Sequence, residues 1–176
     1  MKIISYNVRG LNNVLKKKDV RSLVLKEKVE MVFLQETKLE GVEYVDCRVI
    51  WGVDDFDREA KDATGRSGGL LCVWHKDLFV KESTMVGNWF ICLKGLWGPN
   101  EISYSFINVY APYNLQEKLQ MWNELKDVIS SIGGKVSVVG DFNVVLNSSE
   151  RVGRLDCSRE IIAFNEFLLD VGLVDL

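Results

Sequence analysis

The sequence predicts a layered sandwich of the α/β or α+β class. Three observations support this prediction. Apolar segments of strand length alternate along the chain with segments of helical periodicity, and one pair of strands is separated by a glycine-rich turn typical of a hairpin. The chain has 176 residues, 47% of them hydrophobic, with two prolines and no linker-like tract, which suits one domain with a substantial core.

The first third of the chain predicts two strands around one helix. Lys2–Asn7 is a short apolar strand, and Lys16–Lys28 has apolar residues at three- and four-residue steps, which indicates an amphipathic helix. Val29–Leu34 is apolar almost throughout, as expected of a strand that is buried on both faces. Residues 38–68 are polar and densely charged, and we expect them to be irregular.

Three further strands are predicted in the middle of the chain, at Leu70–Trp74, Trp89–Leu93 and Ile102–Tyr110. Glycines, a proline and an asparagine separate the last two strands, which favours an antiparallel hairpin with a longer loop.

The strongest helix signal follows Asn114, a residue suited to capping a helix start, and paired glycines end this helix. Its apolar residues recur at helical spacing, and we expect this set to face inward: Leu115, Leu119, Trp122, Leu125, Ile129 and Ile132. Lys135–Val139 is a strand that Gly140 is expected to break, and residues 159–171 form a last amphipathic helix.

Composition bounds the function only loosely. The net charge is −3, so the strong basic surface of many nucleic-acid binders is absent, although bound metal ions add positive charge that residue counts do not include. The run Lys16–Lys18 is expected to be a solvated helix start. Four widely spaced cysteines do not fit a zinc site, and we expect reduced thiols in an intracellular protein without a signal peptide or membrane span.

Polar residues follow several of the apolar strands: Asn7, Glu36, Tyr110, Asp141 and Asn143. Ligands gather outside strand ends, because the sheet holds side chains rigidly there and the loops leave room. Magnesium is usually held by one or two carboxylates and keeps water and substrate phosphate as its other ligands. Each residue alone is a weak signal, since a single Asn or Asp at a strand end is commonly a turn residue. Together they indicate a metal-assisted phosphate chemistry.

Five motifs carry a resemblance to a known family: Ser5–Leu11, Leu34–Lys38, Ser67–Gly69, Asn108–Pro112 and Gly140–Asn143. In this order they resemble the endonuclease/exonuclease/phosphatase superfamily over essentially the whole chain. The motif sequences are most similar to those of the endonuclease domains of plant non-LTR (LINE-type) retrotransposons, followed by those of the abasic-site repair endonucleases.

The resemblance implies a four-layered α/β sandwich, in which two sheets pack face to face between outer helices. Asn7 and Glu36 would belong to a site for Mg²⁺, with Mn²⁺ as the alternative ion. Tyr110 would contact the phosphate or act electrostatically, Asp141 would orient or activate the attacking water, and Asn143 would stabilise the pentacovalent phosphorus. The implied reaction is hydrolysis of DNA phosphodiester bonds by a monomer, in the nucleus, with a reverse transcriptase domain in a longer parent protein.

The family pattern also implies residues that this sequence lacks, namely a later aspartate and a closing Ser-Asp-His motif. The one histidine in the sequence, His75, follows a strand where the family has no catalytic histidine, and it is expected to be an ordinary strand-end residue. We therefore expect a single domain over residues 1–176 that is incomplete at its C-terminus and impaired in activity.

Two alternatives stay open at this point. The chain could be an abasic-site repair endonuclease of the same superfamily, or a decayed, non-catalytic domain that acts by binding. The lost histidine favours the non-catalytic alternative, whereas the retained set at the strand ends argues against it.

Overall fold

The computed structural model describes residues 1–65, 67–150 and 158–175. Two compact units make up the chain. The first consists of Met1–Tyr110 and Gly134–Asp141, and the second of Ala111–Gly133 and Phe142–Leu176.

The first unit contains two four-stranded sheets. The first sheet has the order β1-β2-β4-β3 and is formed by β1 (Ile3–Asn7), β2 (Met31–Gln35), β3 (Phe56–Thr64) and β4 (Ser67–His75). The second sheet has the order β5-β6-β7-β8 and is formed by β5 (Phe79–Val86), β6 (Phe90–Trp97), β7 (Ile102–Tyr110) and β8 (Lys135–Asp141). The predicted hairpin is confirmed as the antiparallel pair β6–β7.

Each sheet has one parallel pair at its edge. Strands β1 and β2 run parallel, and so do β7 and β8, while all other pairings are antiparallel. The register places Asn7 opposite Gln35 at the carboxyl end of the first pair. Tyr110 lies opposite Asp141 at the carboxyl end of the second pair. The carboxyl ends of these four strands, β1, β2, β7 and β8, are therefore candidates for a shared site.

The two sheets pack face to face through a core of large apolar side chains. Phe33 and Trp74 of the first sheet and Phe79 and Phe106 of the second are fully or almost fully buried in this core. Phe79 and Phe106 meet edge to face, with ring centroids 5.5 Å apart, a favourable geometry for aromatic pairs. The predicted sandwich of two packed mixed sheets with helices is confirmed.

Two helices of the first unit, α1 (Val14–Glu27) and α2 (Tyr44–Trp51), share a second core with apolar residues of the first sheet. Helix α1 starts where Asn13 accepts a hydrogen bond from the backbone N–H of Leu15, at 2.8 Å. Lys17 of α1 forms an ion pair with Asp46 of α2. The lysine run is therefore only partly the solvated helix start that the sequence predicts, because its middle residue links two helices.

The second unit contains helices α3 (Leu115–Ser131) and α4 (Ser158–Val171). Asn114 caps α3 as predicted, accepting hydrogen bonds from two backbone N–H groups of the first turn. Trp122 stacks on Phe164, with ring centroids 5.8 Å apart. The predicted inward face was partly wrong, because Leu119 is 42% exposed whereas Lys118 is buried.

The prediction of an irregular segment over residues 38–68 was wrong, since this segment forms α2 and β3. Helix α2 has eight residues, too few to show helical periodicity clearly, and β3 is an edge strand rich in charges. Strand β5 was not predicted either. Gly140 does not break β8, which continues through it to Asp141. No helix in the described part of the chain is long and apolar enough to cross a membrane.

Three cysteines are buried free thiols, as the sequence predicts: Cys47, Cys72 and Cys92. Burial raises the pKa of Cys47 and Cys92 to about 11 and raises the pKa of Cys72 still further. These thiols behave as small apolar groups of the core and are poor nucleophiles near neutral pH. Cys157 lies outside the described residues.

We expect the Cys47 thiol to make the free energy of unfolding fall as pH rises from about 9 to 11. Its pKa in the folded state, about 11, lies above the ordinary value of 9.0, so only the unfolded state loses the proton in this window. The contribution is complete below pH 9 and declines by up to about 1.4 kcal/mol per pH unit above it. Urea unfolding at several pH values should therefore show a shallower decline for Cys47→Ala than for the wild type, and equal slopes would contradict the prediction.

Candidate active site

The hydrogen bond between Asn7 and Asp141 is the centre of the candidate site. Asn7 ends β1 of the first sheet, Asp141 ends β8 of the second, and the Asn7 Nδ2 donates to Asp141 Oδ2 at 2.7 Å. The Asn7 Oδ1 accepts from the backbone N–H of Arg9 at 3.1 Å, which fixes the orientation of the amide. Two residues that the sequence assigns to one site, 134 positions apart, are thus brought into direct contact.

Glu36 follows directly after Gln35, the partner of Asn7 in the β1–β2 register. Its side chain is 15% exposed, and one carboxylate oxygen lies 2.9 Å from the Lys38 ammonium. Both Glu36 and Lys38 have a φ of 56°, a left-handed conformation that is uncommon for residues other than glycine. Such conformations persist where the surroundings enforce them, and they concentrate at functional sites.

The glycine pair of the Ser67–Gly69 motif supports this strained segment. The Gly69 carbonyl accepts from the Thr37 N–H at 3.1 Å, and the Gly68 carbonyl accepts from the Lys38 N–H at 3.0 Å. A Cβ on Gly69 would lie 2.3 Å from the Thr37 hydroxyl, closer than any side chain could tolerate. The motif therefore holds the backbone on either side of Thr37, next to Glu36. Arg66, directly before this motif, lies outside the described residues.

A buried pair of amides joins the two sheets beneath the site. The Gln35 Nε2 of β2 donates to Asn108 Oδ1 of β7 at 2.7 Å and to the Ser5 hydroxyl at 3.0 Å. The Asn108 Nδ2 in turn donates to the Leu34 carbonyl at 3.3 Å. Both amides are at most 1% exposed, so water cannot replace a hydrogen bond that either of them loses. The pair fixes how the two sheets align just below Asn7 and Glu36.

Tyr110 and Gly140 shape the second sheet at the site. Tyr110 is half-buried, packs against the core between the sheets, and lies opposite Asp141 in the β7–β8 register. Gly140 lies opposite Val109 with a φ of 141°, and a Cβ there would lie 2.0 Å from the Val109 carbonyl oxygen. The close approach of these two backbones positions the residue that follows, Asp141.

Asn143 belongs to the second unit. It is half-buried, has a φ of 51°, and its Nδ2 donates to the Ala111 carbonyl at 2.6 Å. Its own backbone carbonyl accepts a hydrogen bond from the Lys118 ammonium at 2.7 Å. Asparagine adopts left-handed conformations more readily than most residues, which suits it to this position.

His75 lies at the other end of the first sheet, as an ordinary strand-end residue. It ends β4, which runs antiparallel to β2, so it is near the start of β2 and not near Gln35. Its Nε2 lies 3.1 Å from an oxygen of Asp55. Asp55 also accepts from the Trp51 indole N–H at 2.8 Å. The prediction of an ordinary strand-end residue agrees with this placement.

The donor set suits magnesium better than zinc. It consists of the Glu36 carboxylate and the side-chain amide oxygen of Asn7, and hard oxygen ligands of this kind are those that Mg²⁺ prefers. The described residues contain no cluster of three or more His, Cys, Asp or Glu side chains that could by themselves hold a metal ion. A site with few carboxylates fits an ion that takes its remaining ligands from water and substrate phosphate.

Sequence reasoning missed the residues that support the site. Lys38, Gln35 and Asn108 all lie within quoted motifs, but their roles depend on contacts between distant segments. Lys118 lies in the helix whose inward face was predicted, but no signal in the sequence shows its burial, because lysine is usually exposed.

Comparison with solved structures identifies the fold of this chain. The 3′ phosphatase NExo from Neisseria bound to a product DNA hairpin matches with a TM-score of 0.75 at 19% identity, over 99% of this chain and 72% of that chain. An AP endonuclease from Archaeoglobus fulgidus matches with a TM-score of 0.72 at 16% identity, over 96% of this chain and 70% of that chain.

The AP endonuclease LMAP from Leishmania major matches with a TM-score of 0.70 at 17% identity, over 96% of this chain. This chain spans 66% of that structure's length. At these identities the likeness shows the fold alone. The family model of the Endonuclease/Exonuclease/phosphatase family matches residues 4–172, almost the whole sequence. The chain therefore belongs to the endonuclease/exonuclease/phosphatase family.

Proposed function

We propose that this chain is a Mg²⁺-dependent phosphodiesterase domain that nicks DNA, of the type found in LINE retrotransposons. The observation that carries the proposal is the hydrogen bond of 2.7 Å between Asn7 and Asp141, which brings together the polar ends of strands from both sheets. The membership of a family of hydrolytic nucleases and phosphatases supports it. In this proposal the domain acts in the nucleus, as a monomer, within a longer protein that carries a reverse transcriptase.

Asp141 is the proposed base for the attacking water. Its carboxylate is fixed by the Asn7 amide, so one oxygen has a defined direction before substrate binds. The water oxygen forms a new bond to phosphorus, one ester P–O bond breaks, and the proton of the water passes to Asp141. The leaving oxygen takes a proton from solvent water, so the products are a phosphomonoester and a free hydroxyl group. Tyr110, opposite Asp141, would contact the phosphate. For the Asn143 amide, the resemblance implies stabilisation of charge on the pentacovalent phosphorus, and this role stays a prediction.

Glu36 and Asn7 would hold the metal ion. When bound, Mg²⁺ supplies Lewis-acid polarisation of a phosphate oxygen and a template for the substrate. Lys38 already balances the charge of Glu36 at 2.9 Å, which indicates a position that favours a cation. Mn²⁺, with similar ligand preferences, is expected to substitute for Mg²⁺.

A plasmid assay tests the proposed function. The purified chain should convert supercoiled DNA to the nicked form in the presence of Mg²⁺ and should not do so with excess chelator. Absence of nicking at high enzyme concentration, with magnesium or manganese, would contradict a catalytic domain and favour one that only binds DNA.

The AP endonuclease structures among the similar folds support a second candidate, a repair-type endonuclease that cleaves at abasic sites. An oligonucleotide duplex with one abasic site, compared with the same duplex without it, separates the two candidates. A strong preference for the abasic duplex would overturn the retrotransposon-type assignment, and equal cleavage would exclude the repair type.

We expect Glu36→Gln to weaken binding of Mg²⁺ or Mn²⁺ by about tenfold or more, because even the loss of an outer partner of a metal ligand costs roughly 10- to 100-fold in affinity. Titration calorimetry with Mn²⁺ measures the change directly and does not depend on nuclease activity. Glu40→Gln, an exposed neighbour, is the matched control and should leave affinity unchanged. Equal affinity of Glu36→Gln and wild type would remove Glu36 from the metal site.

A further inference from the structure

Lys118 is buried in a manner that is rare for lysine. It lies near the start of α3 and is 1% exposed. Lysine is almost never fully buried unless its charge is paired, because removing an ammonium group from water is costly. An apolar side chain of similar length would fill the same space without that cost. The positive charge therefore requires an explanation beyond packing.

The Lys118 ammonium group donates hydrogen bonds to two oxygen atoms from different segments of the chain. The Nζ donates to the backbone carbonyl of Asn143 at 2.7 Å and to Glu160 Oε2 at 3.0 Å. The Glu160 side chain is 20% exposed and comes from the first turn of α4. Glu160 thus balances the charge of Lys118, while the backbone contact fixes the position of Asn143.

Asn143 is held at both of its polar ends by residues in or just before α3. Its side-chain amide donates to the Ala111 carbonyl at 2.6 Å, and its backbone carbonyl accepts from Lys118. Its backbone is left-handed, with a φ of 51°, a conformation that asparagine tolerates and that these two contacts restrain further. A charge-assisted hydrogen bond is about twice as strong as a neutral one, which makes Lys118 the stronger of the two restraints.

We propose that Lys118 is a positioning residue for Asn143, whose backbone it locks so that the Asn143 amide is already oriented when a phosphodiester binds. This inference rests on the proposed function for the role of the Asn143 amide. Preorganised donors contribute to catalysis because they need no reorientation as charge develops. Lys118 itself does not have to contact substrate for this role.

A test that does not depend on activity follows the Asn143 side-chain amide by NMR. Its NH₂ signal is assigned by its loss in Asn143→Asp. We expect Lys118→Met to shift this signal toward the position of a freely rotating amide. Lys126→Met removes a half-buried lysine of the same helix, paired with Asp170 at 2.6 Å, and should leave the signal unchanged. An unchanged signal in Lys118→Met would overturn the proposal.

If Lys118→Met does not fold, as judged by its thermal melt, Lys118→Arg replaces it. Arginine can keep the ion pair with Glu160, but its longer side chain and planar guanidinium place their donors differently from the ammonium group. A shifted Asn143 signal in this variant supports the proposal, and an unchanged signal contradicts it.

Kinetics of plasmid nicking give the second test. Lys118→Met is expected to lower kcat about 10- to 100-fold, the effect of a small misplacement of a catalytic group, with KM within about threefold of the wild type. In an Asn143→Ala background the same change should have no further effect on kcat. Additive losses would show that Lys118 acts otherwise. A wild type that does not nick DNA would refute the proposed function, while the NMR comparison would still decide the positioning role.

Discussion

Replacing Asp141 with asparagine is expected to lower kcat for DNA nicking about a thousandfold or more, the upper part of the range for loss of a positioned general base. Asparagine has nearly the same shape, and its oxygen can still accept the hydrogen bond from Asn7 that is 2.7 Å long in the wild type. It cannot take a proton from water. The change therefore removes the proposed chemistry while keeping the contact between the two sheets.

The matched control is Asp127→Asn, an exposed residue of α3. It should nick DNA at the wild-type rate, and both variants should melt near the wild-type temperature. Activity of Asp141→Asn within tenfold of the wild type would exclude Asp141 as the base. A large fall in melting temperature would show instead that its charge is needed for the fold.

Replacing Gly140 with alanine is expected to lower the free energy of unfolding by about 3 kcal/mol or more. Two costs combine at this position. A φ of 141° is a strained conformation for any residue with a side chain, which costs about 1–3 kcal/mol, and overpacking adds about 1–3 kcal/mol. The overpacking arises because the new Cβ would meet the Val109 carbonyl oxygen at 2.0 Å, and neither backbone can move without breaking β-sheet pairing.

Urea unfolding measures this loss. Gly133→Ala is the matched control, because a Cβ at Gly133 meets no atom within 4 Å. Its stability should differ from that of the wild type by at most about 1 kcal/mol. If Gly140→Ala were as stable as Gly133→Ala, the close approach of β7 and β8 described above would be wrong.

The apolar strands and the long helices were predictable because their signals are local. Strand β2 is buried at every position, and its unbroken apolar run shows this in the sequence. Strand β3 could not be predicted in this way, because its charges are satisfied by partners far along the chain. Glu59 accepts from Lys81 at 2.8 Å and from the Thr84 hydroxyl at 3.0 Å, and both partners lie on β5. A charged strand of this kind is identified only when the neighbouring sheet is known.

The residues of the candidate site were likewise predictable only in part. Asn7 and Asp141 could be proposed because polar residues at strand ends are visible in the sequence, and the structure brings them into contact. The contact of Lys118 with Asn143 could not be proposed, since nothing in a helical repeat shows which lysine points inward. The left-handed backbone of Glu36 could not be predicted either, because it depends on glycines more than thirty positions later in the sequence.

The pairing of Asn7 with Asp141 also determines when the site can form during synthesis. All strands of the first sheet lie within the first 75 residues, so that sheet can begin to pair while the rest of the chain is still being made. Asp141 is 134 positions beyond Asn7, and a contact at such separation closes a long loop and forms slowly. If the proposed function holds, a nascent domain is unable to nick DNA until β8 has joined the second sheet.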